Sequence, residues 1–498
     1  MRKLLFDGLV EAVRPAPAGG ADPAFLPVTR RDMEDRGWTC ADFVLVTGDA
    51  YADHPSFGAA VIARILEAGG YKVAVLAQPA WTGPVDFRRF GKPRLGFLIT
   101  SGCVDSMVNR YTAMKRRRRR DVYSPDGAAG LRPDRALIAY TGRAKQAYGD
   151  VPVILGGLEA GLRRLGHYDY WDDRVRRSVL IDAKADLLIY GMGERAVLAV
   201  AAALNAGFDA RDITWVPGLV FRARACPDDA IILPDFERLH DKAVYAESFG
   251  LQYAHAQNAG ARPLAERYGE ALCAVQNPPQ PPLTQAEMDF VHELPYAGDA
   301  HPAYAASGGL PAMEEVRFSL TSARGCFGGC AFCALSMQQG SCVTGRSKAS
   351  LLREATKLTQ RADFKGYIHD VGGPTANFRR RACRLQEARG ESCGRRACLF
   401  PEPCPQLEVD HAEYLAILRA LRALPGVKKV FIRSGLRYDY LMADPNRGEF
   451  LKELCEFHVS GMLKVAPEHV SPRVLARMRK PAASVYERFA AEYAAVNR

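Results

Sequence analysis

Short apolar runs that close on glycine or proline punctuate the first half of the chain. They are Val44 to Gly48, Val73 to Pro79, Leu95 to Gly102, Ala136 to Gly142, Val151 to Gly157 and Ala185 to Gly191. Unbroken apolarity over so few residues predicts strands buried on both faces, as in a parallel sheet. Between the first two runs, Phe57 to Ala68 places Val61, Ile62, Ile65 and Leu66 at helical spacing. Alternating strand and helix signals predict an open, doubly wound, mostly parallel α/β domain over 42–222, Rossmann-like in class, behind a weakly patterned extension at 1–41. Ligands of such sheets sit beyond the carboxyl ends of strands. Here those ends are Gly48 to Ser56, Ser101 to Asp105, Gly156 to Glu159 and Gly191 to Glu194.

Residues 223–300 read as a connector. Helices are expected around Phe236 to Ala256 and Thr284 to Glu293, separated by the proline-rich Asn277 to Pro282. A second α/β series fills 301–498. Val316 to Leu320, Gly366 to Val371, Val427 to Ser434 and Met462 to Ala466 read as strands. Lys348 to Gln360, His411 to Leu424, Gly448 to Phe457 and Ala482 to Val496 read as the helices that follow them. That is four βα units, a partial (β/α) barrel.

The length of 498 residues implies two to four domains. The composition, 48% hydrophobic and 25% charged, excludes wholesale disorder. A net charge of +11 suits an anionic ligand without demanding one. Lys115 to Arg120 is a run of six cations, and Arg379 to Arg381, Arg384, Arg395 and Arg396 form a second group. No RRM, KH or helix-turn-helix signature accompanies them, so a nucleic-acid partner is not favoured. Asp7 and Glu11 interrupt the apolar N-terminus, and the longest apolar run, Ala196 to Leu204, is far short of the roughly 20 residues that span a bilayer. No membrane association and a cytoplasmic location are expected. In a reducing cytosol, clustered cysteines among the 13 in the chain point to metal binding or catalysis rather than disulfides.

The densest cluster is Arg324-Gly-Cys326-Phe-Gly-Gly-Cys330-Ala-Phe332-Cys333, a Cys-x3-Cys-x2-Cys loop after a predicted strand. Three thiolates on one short loop can grip three corners of a cubane iron–sulfur cluster, and Gly325, Gly328 and Gly329 permit the tight curl. No fourth cysteine follows at ferredoxin-like spacing, so one iron is left open. A zinc site or unrelated core cysteines are the alternatives.

This loop resembles the signature of the radical S-adenosylmethionine (SAM) superfamily. The resemblance implies a 4Fe–4S cluster on Cys326, Cys330 and Cys333 whose free iron binds SAM. It also implies reductive cleavage to a 5′-deoxyadenosyl radical that abstracts substrate hydrogen, with a reducing electron donor as partner. It further implies that Gly372 and Gly373, in Asp370-Val-Gly-Gly-Pro-Thr375, contact the SAM amino group, although proline replaces the usual glutamate there. Phe332 would pack by adenine, and Ser434 and Glu468 would help position SAM, Glu468 at its ribose. An ordinary turn, a core phenylalanine and a salt-bridging acid are the bland readings of these positions. A narrower match covers nearly the whole chain, which resembles the YgiQ-type radical SAM proteins. The strings that carry it are Gly48 to Gly58, Gly156 to Ala160, His167 to Trp171, Tyr190 to Glu194, Arg324 to Ala334 and Phe431 to Asp439. That resemblance implies a cobalamin-domain-like N-terminal fold ahead of a radical SAM barrel. Family barrels usually have six βα units, so this one looks C-terminally incomplete.

Cobalamin itself is not expected. The ligating pattern Asp-x-His-x-x-Gly is missing, because Asp53 and His54 are adjacent and Gly58 is displaced by one residue. Gly191-x-Gly193-x-x-Ala196 follows a late strand and is a weak dinucleotide match. Cys383, Cys393, Cys398 and Cys404 lie in one irregular stretch at spacings of x9, x4 and x5. They could hold a second metal, an auxiliary iron–sulfur cluster or zinc, or be free surface thiols. His54, Glu159, His167 and Asp169 are polar groups near strand ends that could line a cleft or simply cap helices. The combined reading is a radical SAM enzyme of unknown substrate. The rival is a non-catalytic, metal-stabilised nucleic-acid-binding protein.

Overall fold

The computed structural model describes residues 6, 8–10, 25–255, 260–393 and 396–498. About half of the expected extension at 1–41, Ala256 at the end of one expected helix, and Arg395 lie outside the described residues. Two compact units form, Met1–Gln280 with Leu294–Glu314, and Pro281–Glu293 with Glu315–Arg498.

The first unit is built on nine strands: β1 Phe43–Thr47, β2 Val73–Ala77, β3 Gly96–Thr100, β4 Val153–Leu155, β5 Leu187–Ile189, β6 Leu219–Ala223, β7 Ile231–Ile232, β8 Leu264–Arg267 and β9 Cys273–Gln276. Their spatial order is β7-β8-β9-β6-β5-β4-β3-β1-β2. Strands β2-β1-β3-β4-β5 are parallel throughout, with Val44 opposite Ala74 on one side and Phe97 on the other. β6 and β9 then run antiparallel to their neighbours, so the stretch 223–276, expected as connector, extends the sheet. The core joins Val44, Val46, Phe97, Ile99, Val153 and Leu155 to the helix Ala136–Ala147. That helix replaces the strand expected at Ala136 to Gly142. It buries Ala136, Leu137, Tyr140, Thr141 and Ala144, a helical stripe. A short apolar run does not by itself separate a buried helix from a buried strand.

In the second unit β10 Ser319–Thr321 pairs in parallel with β12 Asp370–Gly372. β11 Tyr367–Ile368, on the same chain segment as β12, pairs in parallel with β13 Lys429–Val430. Leu436 and Val465 make a further parallel bridge. Helices Lys348–Thr359, Ala412–Arg422 and Arg447–Glu453 lie between these segments, giving the first turns of a (β/α) barrel. Leu320, Ile368, Val371 and Val430 pack against Leu351, Ile417, Leu418 and Phe489 from the helices. Gln285–Glu293 belongs to this unit as well.

Candidate functional site

The cysteine loop leaves the β10 end of the barrel through Ala323–Arg324, which pairs with Thr344–Gly345. Gly325 is left-handed at φ +86, and a Cβ there would collide with the Cys342 carbonyl. A Cβ on Gly328 would stand 2.5 Å from Arg437 Nη1 and 3.2 Å from Cys326 Sγ. The loop therefore curls against the Arg437 guanidinium, an approach that side chains at 325 and 328 would block. Arg437 Nη1 donates to Cys330 Sγ at 3.2 Å, and its Nε and Nη2 donate to Asp439 at 2.7 and 2.6 Å. Asn377 fixes the Arg437 backbone, its Oδ1 accepting from the amide at 2.9 Å, and Asn377 Nδ2 lies 3.0 Å from His411 Nε2. Burial pushes the Cys326 thiol up, against a downward pull from the Gly328 amide, Thr375 and Arg437. Phe327 anchors the loop by stacking on Phe378 with centroids 3.8 Å apart.

The turn after β12 lies beside this loop. Cys326 Sγ is 3.6 Å from Thr375 Oγ1. A Cβ on Gly373 would come within 2.6 Å of the Ala323 carbonyl, and one on Gly372 would collide with Ser434 Oγ. Both glycines are thus required by close backbone approach. Asp370 organises the neighbouring segment: its Oδ1 accepts from the amides of Arg433 and Ser434 at 2.8 and 3.0 Å, and its Oδ2 accepts from the Ser434 hydroxyl. Glu468, left-handed at φ +69, pairs with Lys480 at 3.4 Å, and Lys480 also donates to the Ala466 carbonyl at 2.7 Å. The same Lys480 lies 5.8 Å from the Phe332 ring, which is 53% exposed and so is not a core residue. The Ala331 amide donates to the Met478 carbonyl at 3.1 Å, tying loop to helix Pro472–Met478.

The cysteine loop thus adjoins the Gly372–Gly373 turn, that turn adjoins Ser434, and Lys480 links Glu468 to Phe332 on the loop. Sequence reasoning missed Arg437, Asp439, Asp370, Thr375 and Lys480. Arg437-x-Asp439 fell within a quoted string, but only the fold shows the guanidinium reaching Cys330. All 13 cysteines are free thiols. Among the described residues no group of three or more His, Cys, Asp or Glu side chains is already gathered as a metal site. The chemistry of the loop nonetheless suits a thiolate-bound cluster, because three thiols share a tight turn and two of them, Cys326 and Cys330, lie by a buried, always-charged guanidinium. The second cysteine group lies in the same unit, with Cys383 preceding helix Arg384–Arg389.

In the first unit the polar candidates have structural partners. Glu159 accepts from the amides of Ser106 at 2.8 Å and Leu137 at 3.4 Å. His54 Nδ1 accepts from the Ser56 amide at 3.1 Å, and His167 Nδ1 lies 3.1 Å from the Leu165 carbonyl. Asp169 pairs with Arg135 and Arg163.

Residues 25–319 match the family model "Radical SAM N-terminal". The chain is 52% identical to a UPF0313 protein of Clostridium botulinum over 477 residues, covering 95% of this chain and 74% of that protein. Among solved structures, it resembles the radical SAM methyltransferase TsrM of Kitasatospora setae, solved with cobalamin and a [4Fe-4S] cluster, at TM-score 0.50 and 14% identity, covering 92% of this chain and 68% of that one. It also resembles OxsB, a cobalamin-dependent SAM radical enzyme solved with aqua-cobalamin, at TM-score 0.51 and 10% identity, covering 100% of this chain and 53% of that one. These two share the fold. No helix among the described residues is long and apolar enough to cross a membrane.

The structural neighbours correct one expectation. Cobalamin was set aside because Asp53 and His54 miss the Asp-x-His-x-x-Gly spacing, yet both neighbours of this fold hold cobalamin. That spacing tests only one way of ligating cobalt from a loop. A large ring can also be held by the area of its pocket, which leaves no fixed spacing in a sequence.

Proposed function

The chain belongs to the radical SAM N-terminal family and to the UPF0313 proteins, and from that premise we propose that it is an enzyme that cleaves SAM reductively to act on its substrate by a radical route. The observation that carries the reading is the Cys326–Cys330–Cys333 loop, curled at a barrel rim with Arg437 bonded to Cys330. When bound, a 4Fe–4S cluster supplies the electron for cleavage, and its unligated iron supplies the seat for SAM. Cys326, Cys330 and Cys333 would hold it, with Arg437 offsetting the negative charge of the thiolates. Gly372 and Gly373, packed against Ser434 and Ala323, would offer their backbone to the SAM amino group at the turn beside Cys326. Ser434, fixed by Asp370, keeps that edge in place. Lys480 holds Glu468 near the exposed Phe332 ring, where a carboxylate can accept ribose hydroxyl bonds and the ring can lie against adenine. A low-potential electron donor and an unidentified substrate are the partners this chemistry requires.

The test is anaerobic reconstitution with iron and sulfide, reduction with dithionite, and addition of SAM. 5′-Deoxyadenosine should form, and the cluster's EPR spectrum should change on SAM binding. No deoxyadenosine together with a spectrum indifferent to SAM overturns the proposal. Cys330→Ala should lose the cluster iron.

A further inference from the structure

Spacing along the chain separates Cys342 from both cysteine groups, but the fold brings it to the second. Cys342 is buried, and its backbone lies against Gly325 at the start of the first cysteine loop. Cys393, Cys383, Cys404 and Cys342 all lie close enough to Cys398 for their charges to act on it. The frame around it is specific. The Cys404 amide donates to the Cys398 carbonyl at 2.9 Å. Gln386 accepts from the Ala382 amide at 3.1 Å and directs its Nε2 to Cys398 Sγ at 3.8 Å. Cys383 is held by the turn of helix that follows it, the Glu387 amide donating to its carbonyl at 3.0 Å. Cys398 packs against the small apolar cluster of Val343, Phe378, Ala382 and Leu399, which keeps water from one side.

A second observation points to an anionic occupant. The Arg381 side chain bonds the Cys342 thiol, and its Nη1 is buried with no hydrogen-bond partner among the described residues. The hydroxyls of Ser341 and Thr344, on either side of Cys342, are also buried and unpartnered. A half-buried cation with one buried, unused donor beside a group of thiols favours negative charge there. A tetrathiolate metal centre provides that charge.

We propose that Cys383, Cys393, Cys398 and Cys404 ligate a second metal centre, a zinc ion or an iron–sulfur cluster, with Arg381 beside Cys342 as its counter-charge. It is independent of what the Cys326–Cys330–Cys333 loop binds. The thiols are not yet gathered among the described residues. Loading draws the stretch in, since metal binding commonly completes the fold of its own site.

The experiment uses the full chain carrying Cys326→Ala, Cys330→Ala and Cys333→Ala, so that only the second site remains. Purified anaerobically, it is loaded in parallel with zinc alone or with iron and sulfide, and metal and sulfide are counted after desalting. One zinc or one cluster per chain should remain, and the arm that loads identifies the metal. Adding Cys398→Ser and Cys404→Ser should remove it, with far-UV circular dichroism checking the fold. Without any variant, iodoacetamide mapping of the wild-type chain should find the four thiols protected until a chelator is added. Arg381→Met should raise the chelator-dependent loss rate about tenfold, as for other groups that support metal ligands. No metal in the triple variant, or four freely alkylated thiols in the loaded wild type, overturns the proposal. Either result can occur with deoxyadenosine formation intact, so it is distinguishable from failure of the function proposed above.

Discussion

Arg437 carries the densest chemistry of any single side chain here. It bonds half-buried Cys330 with one nitrogen and Asp439 with two others, and both it and Asp439 are buried. A buried cation favours the more negative, reduced state of a neighbouring cluster. Arg437→Met should therefore shift the cluster's midpoint to a more negative value, and Arg437→Lys should fall between. Asp439→Asn added to Arg437→Met removes the stranded carboxylate and keeps the test readable, since an unpaired buried charge costs about 3–5 kcal/mol. An unchanged midpoint in a potentiometric EPR titration would leave Arg437 a purely structural residue. Glu266 offers a second prediction. It is fully buried on β8, accepts from the Gly166 amide at 2.7 Å and from the Tyr268 hydroxyl, and leaves Oε2 unpartnered. Burial raises its carboxyl from 4.5 to about 7. Between these values the folded chain keeps a proton that the unfolded chain releases, so its contribution to stability falls as pH rises through the window and is constant above it. The loss is about 3–4 kcal/mol at about 1.4 kcal/mol per unit. Glu266→Gln should flatten this, seen as a wild-type-minus-variant difference in urea midpoints that changes from pH 5 to pH 7 and not from pH 7.5 to 8.5.

Sheet order β2-β1-β3-β4-β5 reverses direction between β1 and β3, the point where doubly wound sheets open a crevice. Charged groups occupy that point in the first unit. Arg132 donates to Asp49 at 2.5 Å and to the Ser101 carbonyl at 2.7 Å, and Asp49 also accepts from the Cys103 amide at 2.6 Å. Arg132→Met strands Asp49 beside Asp121 and should cost about 3–5 kcal/mol, with Asp49→Asn restoring part of it. A urea midpoint indifferent to Arg132→Met would show the network to be slack. Strands were legible in the sequence where both faces are buried and β-branched residues dominate, as at Val44 to Thr47. Ala136 to Gly142 was misread because seven residues fit either period. The barrel strands pair over only two or three residues, so their pairing follows from the helices that separate them rather than from strand-like patterning. Within the site, cysteines and glycines announced themselves by spacing. Arg437, Asp370 and Lys480 did not, because their roles depend on which strand end lies beside which.

At the scale of the molecule, the sequence places a domain start near 301, while the compact units interleave and assign Pro281–Glu293 to the second unit. The reason is local. Helix Gln285–Glu293 buries Met288, Phe290 and Val291. Its Asp289 accepts from the Ser347 amide at 2.9 Å, which opens helix Lys348–Thr359, and Glu293 pairs with Arg353 at 2.5 Å. Removing it would strip three apolar side chains, each worth roughly 1.5–3 kcal/mol when fully buried, and two helix-fixing contacts from one face. That loss is comparable to the whole net stability of a domain of this size, about 5–15 kcal/mol. A fragment 281–498 should therefore be recovered soluble with a cooperative thermal transition, and 301–498 should aggregate or melt without cooperativity under the same conditions. Adding Met288→Ser and Val291→Ser to the longer fragment should move it toward the behaviour of the shorter. Equal melting of the two fragments would show that this helix is not an integral part of the barrel unit, and that the sequence boundary at 301 is the physical one.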